Sequence, residues 1–165
     1  NLLFSDKLSL PYSNLEVSVF GVSNLISTVV DLINEDLKKF TINNPSPDII
    51  VRADKTKLII AIRNLIDNAL KYGYKNKPIT ITSYLERKMC VIIISNWGDR
   101  LNNEDMKRVF EPFYRLNNKS LPSGFGLGLT ICKRIIEAHN GEITIISKKD
   151  ETEFCVKIPL KLEGT

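Results

Sequence analysis

One amphipathic segment, residues 54–72, constrains the fold more than any other feature. At about 100° per residue, Leu58, Ile62, Leu65, Ile66 and Ala69 share one side, while Asn64, Asn68 and Lys71 fall together on the opposite side. A helix of this kind buries its apolar stripe against a second layer. Asp54 supplies a side-chain oxygen to cap its start. Asparagine is a poor helix former, because its amide competes for backbone hydrogen bonds. Two asparagines one turn apart in mid-helix therefore ask for a reason. Two amide oxygens at i and i+4 can bind one hard cation, and a lysine beside them adds a point charge for phosphate. A plain solvated helix face has the same composition.

The second layer is legible as strands. Residues 15–20 alternate and read as a strand. Residues 24–40 carry Leu25, Val29, Leu32, Ile33 and Leu37 at helical spacing. A turn at 43–47 leads to a short strand at 49–51. Residues 79–86 and 89–95 form two strands about a tight turn at Arg87-Lys88. A polar, irregular stretch follows over 96–123, with a short helix near 104–110. A helix at 127–138, a turn at Asn140-Gly141, and paired strands at 142–147 and 153–160 complete the chain. Residues 1–9 read as a frayed helix end, broken at Leu10-Pro11-Tyr12. This order predicts an α+β fold: a two-layer α/β sandwich, with a mixed, mostly antiparallel sheet and helices on one face. A loop as long as 96–123 inside a compact domain is usually functional.

The 165 residues suffice for one domain with one core. The net charge of +4 favours an anionic ligand but is too mild and too spread out for nucleic acid. Cys90, Cys132 and Cys155 are odd in number, form no CxxC pair and sit among apolar residues, which predicts small buried hydrophobes in a reducing compartment. No apolar run approaches the ~18 residues that span a bilayer. The chain opens at Asn1 without a methionine, which suggests a fragment.

Four local signals carry chemistry. The first is the Asn64, Asn68, Lys71 face. The second is Ser95-Asn96-Trp97-Gly98-Asp99-Arg100-Leu101 directly after a strand, where glycine permits a tight turn or a close ligand approach. The third is Gly124-Phe125-Gly126-Leu127-Gly128-Leu129, leading into a helix. Its alternate glycines and the helix start together present backbone N–H groups suited to phosphate, though a flexible hinge reads the same way. The fourth is Val109-Phe110-Glu111-Pro112-Phe113-Tyr114-Arg115, aromatics in a polar loop that fit a satellite core or a docking surface.

The order of these signals resembles that of sensor histidine kinases. Residues 64–72 resemble the N box, 96–101 the first glycine box (DxGxGI), 110–113 the F box, and 124–129 the second glycine box (GxGLGL). Ile135-Ile136-Glu137-Ala138-His139-Asn140-Gly141 is similar to the usual continuation. The resemblance covers roughly residues 49–159. It implies the Bergerat fold shared with gyrase, Hsp90 and MutL ATPases, with ATP and Mg²⁺ held between the N-box helix and a mobile lid at about 100–123. By resemblance, Asn68 binds Mg²⁺ with Asn64 nearby, Lys71 contacts phosphate and Tyr72 flanks the adenine. Asn96 and Gly98 mark the adenine pocket and Leu101 closes it. Gly124, Gly126 and Gly128 let backbone reach the phosphates, beside the apolar Leu127 and Leu129. Arg115 or Lys119 reaches the γ-phosphate, and Phe110 and Phe113 dock a partner.

The implied reaction is phosphoryl transfer from ATP to a histidine on a separate dimerisation and phosphoacceptor domain, with a response regulator downstream. Asn64, Lys71 and Arg115 are the expected catalytic set. Asn64 stands where hydrolytic relatives hold a glutamate that activates water. Asn96 replaces the family's usual aspartate. Residues 1–12 are expected to be the tail of an upstream phosphoacceptor helix and linker, and 13–165 the catalytic domain. That domain is expected to be monomeric, within a homodimeric, membrane-anchored bacterial sensor whose catalytic part is cytoplasmic. An anti-sigma-factor-type serine kinase and a degenerate docking module are the alternatives. His139, ending its helix, is expected as an imidazolium favoured by the helix C-terminus and not as a phosphoacceptor.

Overall fold

A computed structural model describes residues 14–114 and 127–162. Along the chain run β1 (Ser18–Gly21), α1 (Val22–Ile33), a 3₁₀ turn (Leu37–Lys39), β2 (Phe40–Asn43), β3 (Ile50–Ala53), α2 (Lys55–Tyr72), β4 (Ile79–Glu86) and β5 (Met89–Trp97). Then come α3 (Asn103–Arg108), α4 (Gly128–Ala138), β6 (Glu142–Lys148) and β7 (Glu151–Pro159). The main sheet has the order β2-β4-β5-β7-β6, antiparallel except where β2 lies parallel to β4. The α+β sandwich expected from the sequence is the architecture observed.

The core follows from the pleat. Register pairs Ile81 with Ile94, Ile94 with Phe154, and Ile92 with Val156. Alternate residues therefore line up on one sheet face. Against that face lies the apolar stripe of α2: Leu58, Ile62, Leu65, Ile66 and Ala69 are each no more than 1 % exposed. Val22, Leu25, Ile26 and Val29 of α1, and Cys132, Ile135 and Ile136 of α4, join the same cluster. Truncating one of the buried leucines to alanine would cost about 2–5 kcal/mol, the transfer loss plus the cavity left behind. Asp54 caps α2 as expected, its side chain accepting from the Lys57 N–H at 3.0 Å.

Three expectations change. The helix expected over 24–40 ends at Ile33, because Asn34 adopts the left-handed conformation (φ 57°, ψ 39°) and closes it. Leu32 and Leu37, which extended the helical spacing, are exposed, and Phe40–Asn43 becomes an edge strand. The strand expected at 15–20 is Ser18–Gly21, and it pairs with β3 in a separate two-stranded sheet. The strands expected at 89–95 and 153–160 extend to Trp97 and begin at Glu151, because they pair with each other over their full length. Cys90 and Cys132 are buried and Cys155 is half-buried; all three are free thiols. Among the described residues no helix is long and apolar enough to cross a membrane.

Candidate nucleotide site

The polar face of α2 opens onto a cavity of about 410 Å³. Asn64, Asn68, Lys71 and Tyr72 form one wall, a repeat set by helical periodicity. Asn96 from β5 and Thr152 from β7 lie at the sheet end, as their direct pairing requires. Leu127, Gly128 and Leu129, where α4 begins, close another side. Leu101, Val109, Ile131 and Phe154 supply apolar surface. A mostly apolar cleft with a few convergent polar groups is the common form of a small-molecule site.

The cavity has two distinct ends. A Cβ placed at Gly128 would lie 3.5 Å from Asn64 Oδ1, so the start of α4 packs beside Asn64. No side-chain oxygen caps that helix start, which leaves its first amides suited to an anion. Asn96 lies at the other end, near the C-terminus of α2: its Cβ is 3.4 Å from where a Gly73 Cβ would sit. Asn64 and Tyr72 are eight residues apart on α2, or roughly 12 Å at 1.5 Å per residue. That span suits an elongated ligand with an anionic end and a planar end.

Of the residues singled out from sequence, Asn64, Asn68, Lys71, Tyr72, Asn96, Leu101, Leu127, Gly128 and Leu129 all line this cavity. Gly98 does not. It bridges to Gly73, and a Cβ there would meet the Tyr72 carbonyl at 2.9 Å, so its glycine serves the approach of β5 to the end of α2. Phe110 and Phe113 part company. Phe110 is half-buried, edge-on to Phe154 with ring centroids 6.2 Å apart, and its carbonyl accepts from the Thr130 hydroxyl at 2.9 Å. Phe113 is 59 % exposed. Arg115, Lys119, Gly124 and Gly126, and the expected lid beyond Tyr114, lie outside the described residues.

Sequence reading missed Asp67, Asp99, Tyr114 and Thr152 in the lining. Burial pushes the Asp67 carboxyl above its usual range, opposed by Arg63 and Lys71. Asp99 accepts from the Tyr74 hydroxyl at 2.8 Å, and that bond raises the Tyr74 phenol's pKa. Thr152 Oγ1 lies 3.2 Å from Ser147 Oγ, which accepts from the Leu101 N–H at 3.0 Å. Asp67 sits between the two N-box asparagines and could have been anticipated. Thr152 could not, since only the β5–β7 register brings it here.

The amides of Asn64 and Asn68 fit a Mg²⁺ ion that takes most of its ligands from phosphate and water, the usual arrangement for that ion. Among the described residues no group of three or more His, Cys, Asp or Glu side chains could hold a metal by themselves.

His139 corrects an expectation. It is fully buried, and it is not an imidazolium. Its Nε2 accepts from the Asp54 N–H at 3.1 Å, while Nδ1–H donates to the Ile135 carbonyl at 2.8 Å. That pattern requires the neutral ring. Burial lowers its pKa, against the raising effects of the Ile135 carbonyl and Asp54 and with a further lowering by Lys57.

Residues 53–162 match the family described as histidine kinase-, DNA gyrase B-, and HSP90-like ATPases, and the chain belongs to it. Its curated relatives are sensor kinases. It is 37 % identical over 123 residues to the heme sensor protein HssS of Staphylococcus epidermidis, covering 74 % of this chain and 26 % of that protein. It is 32 % identical over 152 residues to the sensor protein KdpD of Clostridium acetobutylicum, covering 90 % of this chain and 17 % of the relative. The chain thus spans about a quarter of these relatives or less. Among solved structures, the catalytic domain of histidine kinase ThkA superposes with a TM-score of 0.80 at 29 % identity, covering 90 % of this chain and 99 % of that one. The fold is that of a histidine kinase catalytic domain.

Proposed function

We propose that this domain binds Mg-ATP and transfers its γ-phosphate to a histidine on a separate phosphoacceptor domain, as part of a two-component sensor kinase. The observation that carries the reading is the single cavity in which the Asn64, Asn68, Lys71 face of α2 meets the uncapped start of α4. Phosphoryl transfer is mostly positioning and electrostatics. Lys71 and the α4 amides would hold the phosphates. Asn68, with Asn64, would hold the Mg²⁺, which spreads the triphosphate charge. Arg115 and Lys119 would add cations from the lid, and Gly124 and Gly126 backbone amides. Asn64 bears an amide, which is no proton acceptor at neutral pH and therefore does not activate water as a carboxylate would. An imidazole nucleophile needs only to be held in line.

The acceptor must come from elsewhere. His139 is the only histidine in the chain, it is fully buried, and it ends an eleven-residue helix that begins at the cavity, roughly 16 Å away. In this reading residues 1–12 are the tail of the upstream helix and linker, 13–165 the catalytic domain, and the exposed Phe113 and half-buried Phe110 part of the docking surface. The whole protein would be a homodimeric, membrane-anchored bacterial sensor that passes phosphate to a response regulator.

Incubation with γ-labelled ATP, with and without a phosphoacceptor helix hairpin added in trans, tests this. An acid-labile, base-stable label on the hairpin alone is expected. An acid-stable label on a serine protein would favour the serine-kinase alternative. No binding of nucleotide would leave only the docking module.

A further inference from the structure

The sheet end of the cavity holds a side-chain amide with no hydrogen-bond partner among the described residues. Asn96 is only 5 % exposed, yet among the described residues no side chain or backbone group hydrogen-bonds its amide. No fully buried side-chain oxygen or nitrogen among the described residues lacks a partner, so the amide keeps some exposure, and Asn96 lines the cavity. Burying an unpaired amide is unfavourable unless something completes it. A primary amide presents a donor and an acceptor side by side, and rotation by 180° exchanges them. There is room beside it: a Cβ at position 98 would come within 3.2 Å of Asn96 Nδ2, and Gly98 supplies none.

The neighbouring polar group is equally ambivalent. Thr152, directly across from Asn96 in the register, shares a hydrogen bond with Ser147 in which either hydroxyl can be the donor. Reversing that pair changes what Thr152 offers the cavity, from a free lone pair to a free O–H. The described carboxylates beside this corner are already engaged: Asp99, exposed at the strand exit, accepts from the Tyr74 hydroxyl, and Glu151 accepts from the Ser95 hydroxyl at 2.9 Å.

Adenine presents an amine donor beside a ring-nitrogen acceptor. Guanine presents a carbonyl acceptor beside a ring N–H donor. An amide pairs with either edge through two hydrogen bonds, one orientation for each. We infer that this site takes guanine as well as adenine nucleotides, with Asn96 as the base-reading residue and the Thr152–Ser147 pair adjusting to each base. The inference rests on the nucleotide reading proposed above and deepens it.

The test is titration of the full chain with Mg-ATP and Mg-GTP, by calorimetry and by displacement of a fluorescent ATP analogue, in the parent and in Asn96→Asp. A carboxylate accepts from the adenine amine and repels the guanine carbonyl. A charged hydrogen bond is also stronger than a neutral one. The parent should bind the two triphosphates within tenfold of each other, and Asn96→Asp should raise the ATP-over-GTP ratio roughly tenfold. A parent preference for ATP beyond tenfold overturns the inference and leaves the nucleotide reading standing. The parent measurement holds whether or not the variant folds. A parent ratio within tenfold that Asn96→Asp does not move removes Asn96 as the reader. Binding of neither triphosphate fails the nucleotide reading itself, a distinct result.

Discussion

Asn68 projects into the cavity from mid-helix with its amide available to an ion, so its loss should be visible only where the ion is. In Asn68→Ala, ATP affinity with Mg²⁺ should fall by about 1–3 kcal/mol, the range for a hydrogen bond to a charged group, while affinity without Mg²⁺ changes little. Titration with and without the ion separates the two, and equal Mg²⁺ dependence in parent and variant removes Asn68 from the metal site. His139 acts on stability instead. Its folded pKa lies below the ordinary 6.5, so the folded state binds fewer protons than the unfolded state just below that value. The stabilisation is therefore complete above pH 6.5 and declines as pH falls towards the folded pKa. Asp54 titrates in a separate window. Burial alone would raise its pKa, but hydrogen bonds from Lys57 and Glu16 outweigh that and hold it below 3.8, so its contribution is lost only in stronger acid. Urea melts between pH 5 and 8 should show parent stability dropping below pH 6.5, by about 1–3 kcal/mol for one buried hydrogen-bonded group. His139→Gln should be weaker at pH 8 and flatter with pH. An equally steep slope in the variant would assign the effect to other groups.

At the scale of elements, the junction of α2 and β5 is held by two glycines facing each other. A Cβ at Gly73 would lie 2.5 Å from the Ala69 carbonyl, and one at Gly98 would lie 2.9 Å from the Tyr72 carbonyl. Both obstacles are backbone, so relief requires moving α2 or β5. Gly73→Ala and Gly98→Ala should each destabilise the fold by about 1–3 kcal/mol, the usual cost of forced overpacking, and should loosen nucleotide binding by shifting Tyr72 and Asn96. Thermal melts and ATP titration check this; an unchanged melting temperature in both would show that the junction adjusts freely. The glycine at 98 was legible in the sequence as a functional position, but its physical task was not, because a motif shows that a small residue is needed and not which backbone it admits. The α2 face was legible except for Asp67, since a 3.6-residue repeat dictates which side chains share a wall. Strand β2 was not. Leu37 prolongs the helical spacing of α1, while the pairing that makes 40–43 a strand is with β4, thirty-nine residues on by register. The neutral state of His139 was equally hidden, because it follows from burial against Asp54, which no spacing rule reports.

Considered whole, the molecule has β7, its last strand in sequence, between β5 and β6 in space. The wall that joins Asn96 to Thr152 is made only by that late insertion. A chain ending at Lys149 keeps every motif except Thr152 and Phe154 from the cavity, yet it leaves the apolar edge of β5 unpaired. It should show no cooperative urea transition and should aggregate at micromolar concentration; a truncated chain that melts cooperatively and binds ATP would contradict this. The same placement has a consequence during synthesis. Asn96 and Thr152 are 56 residues apart in the chain. At about 5–20 residues per second, a ribosome needs roughly 3–11 s to make that interval, during which Ile92 and Ile94 wait on an open strand edge. For those seconds the nascent chain resembles a client of holding chaperones more than a folded domain, and its cavity is completed only after the helix face and glycine motifs that line it have all been translated.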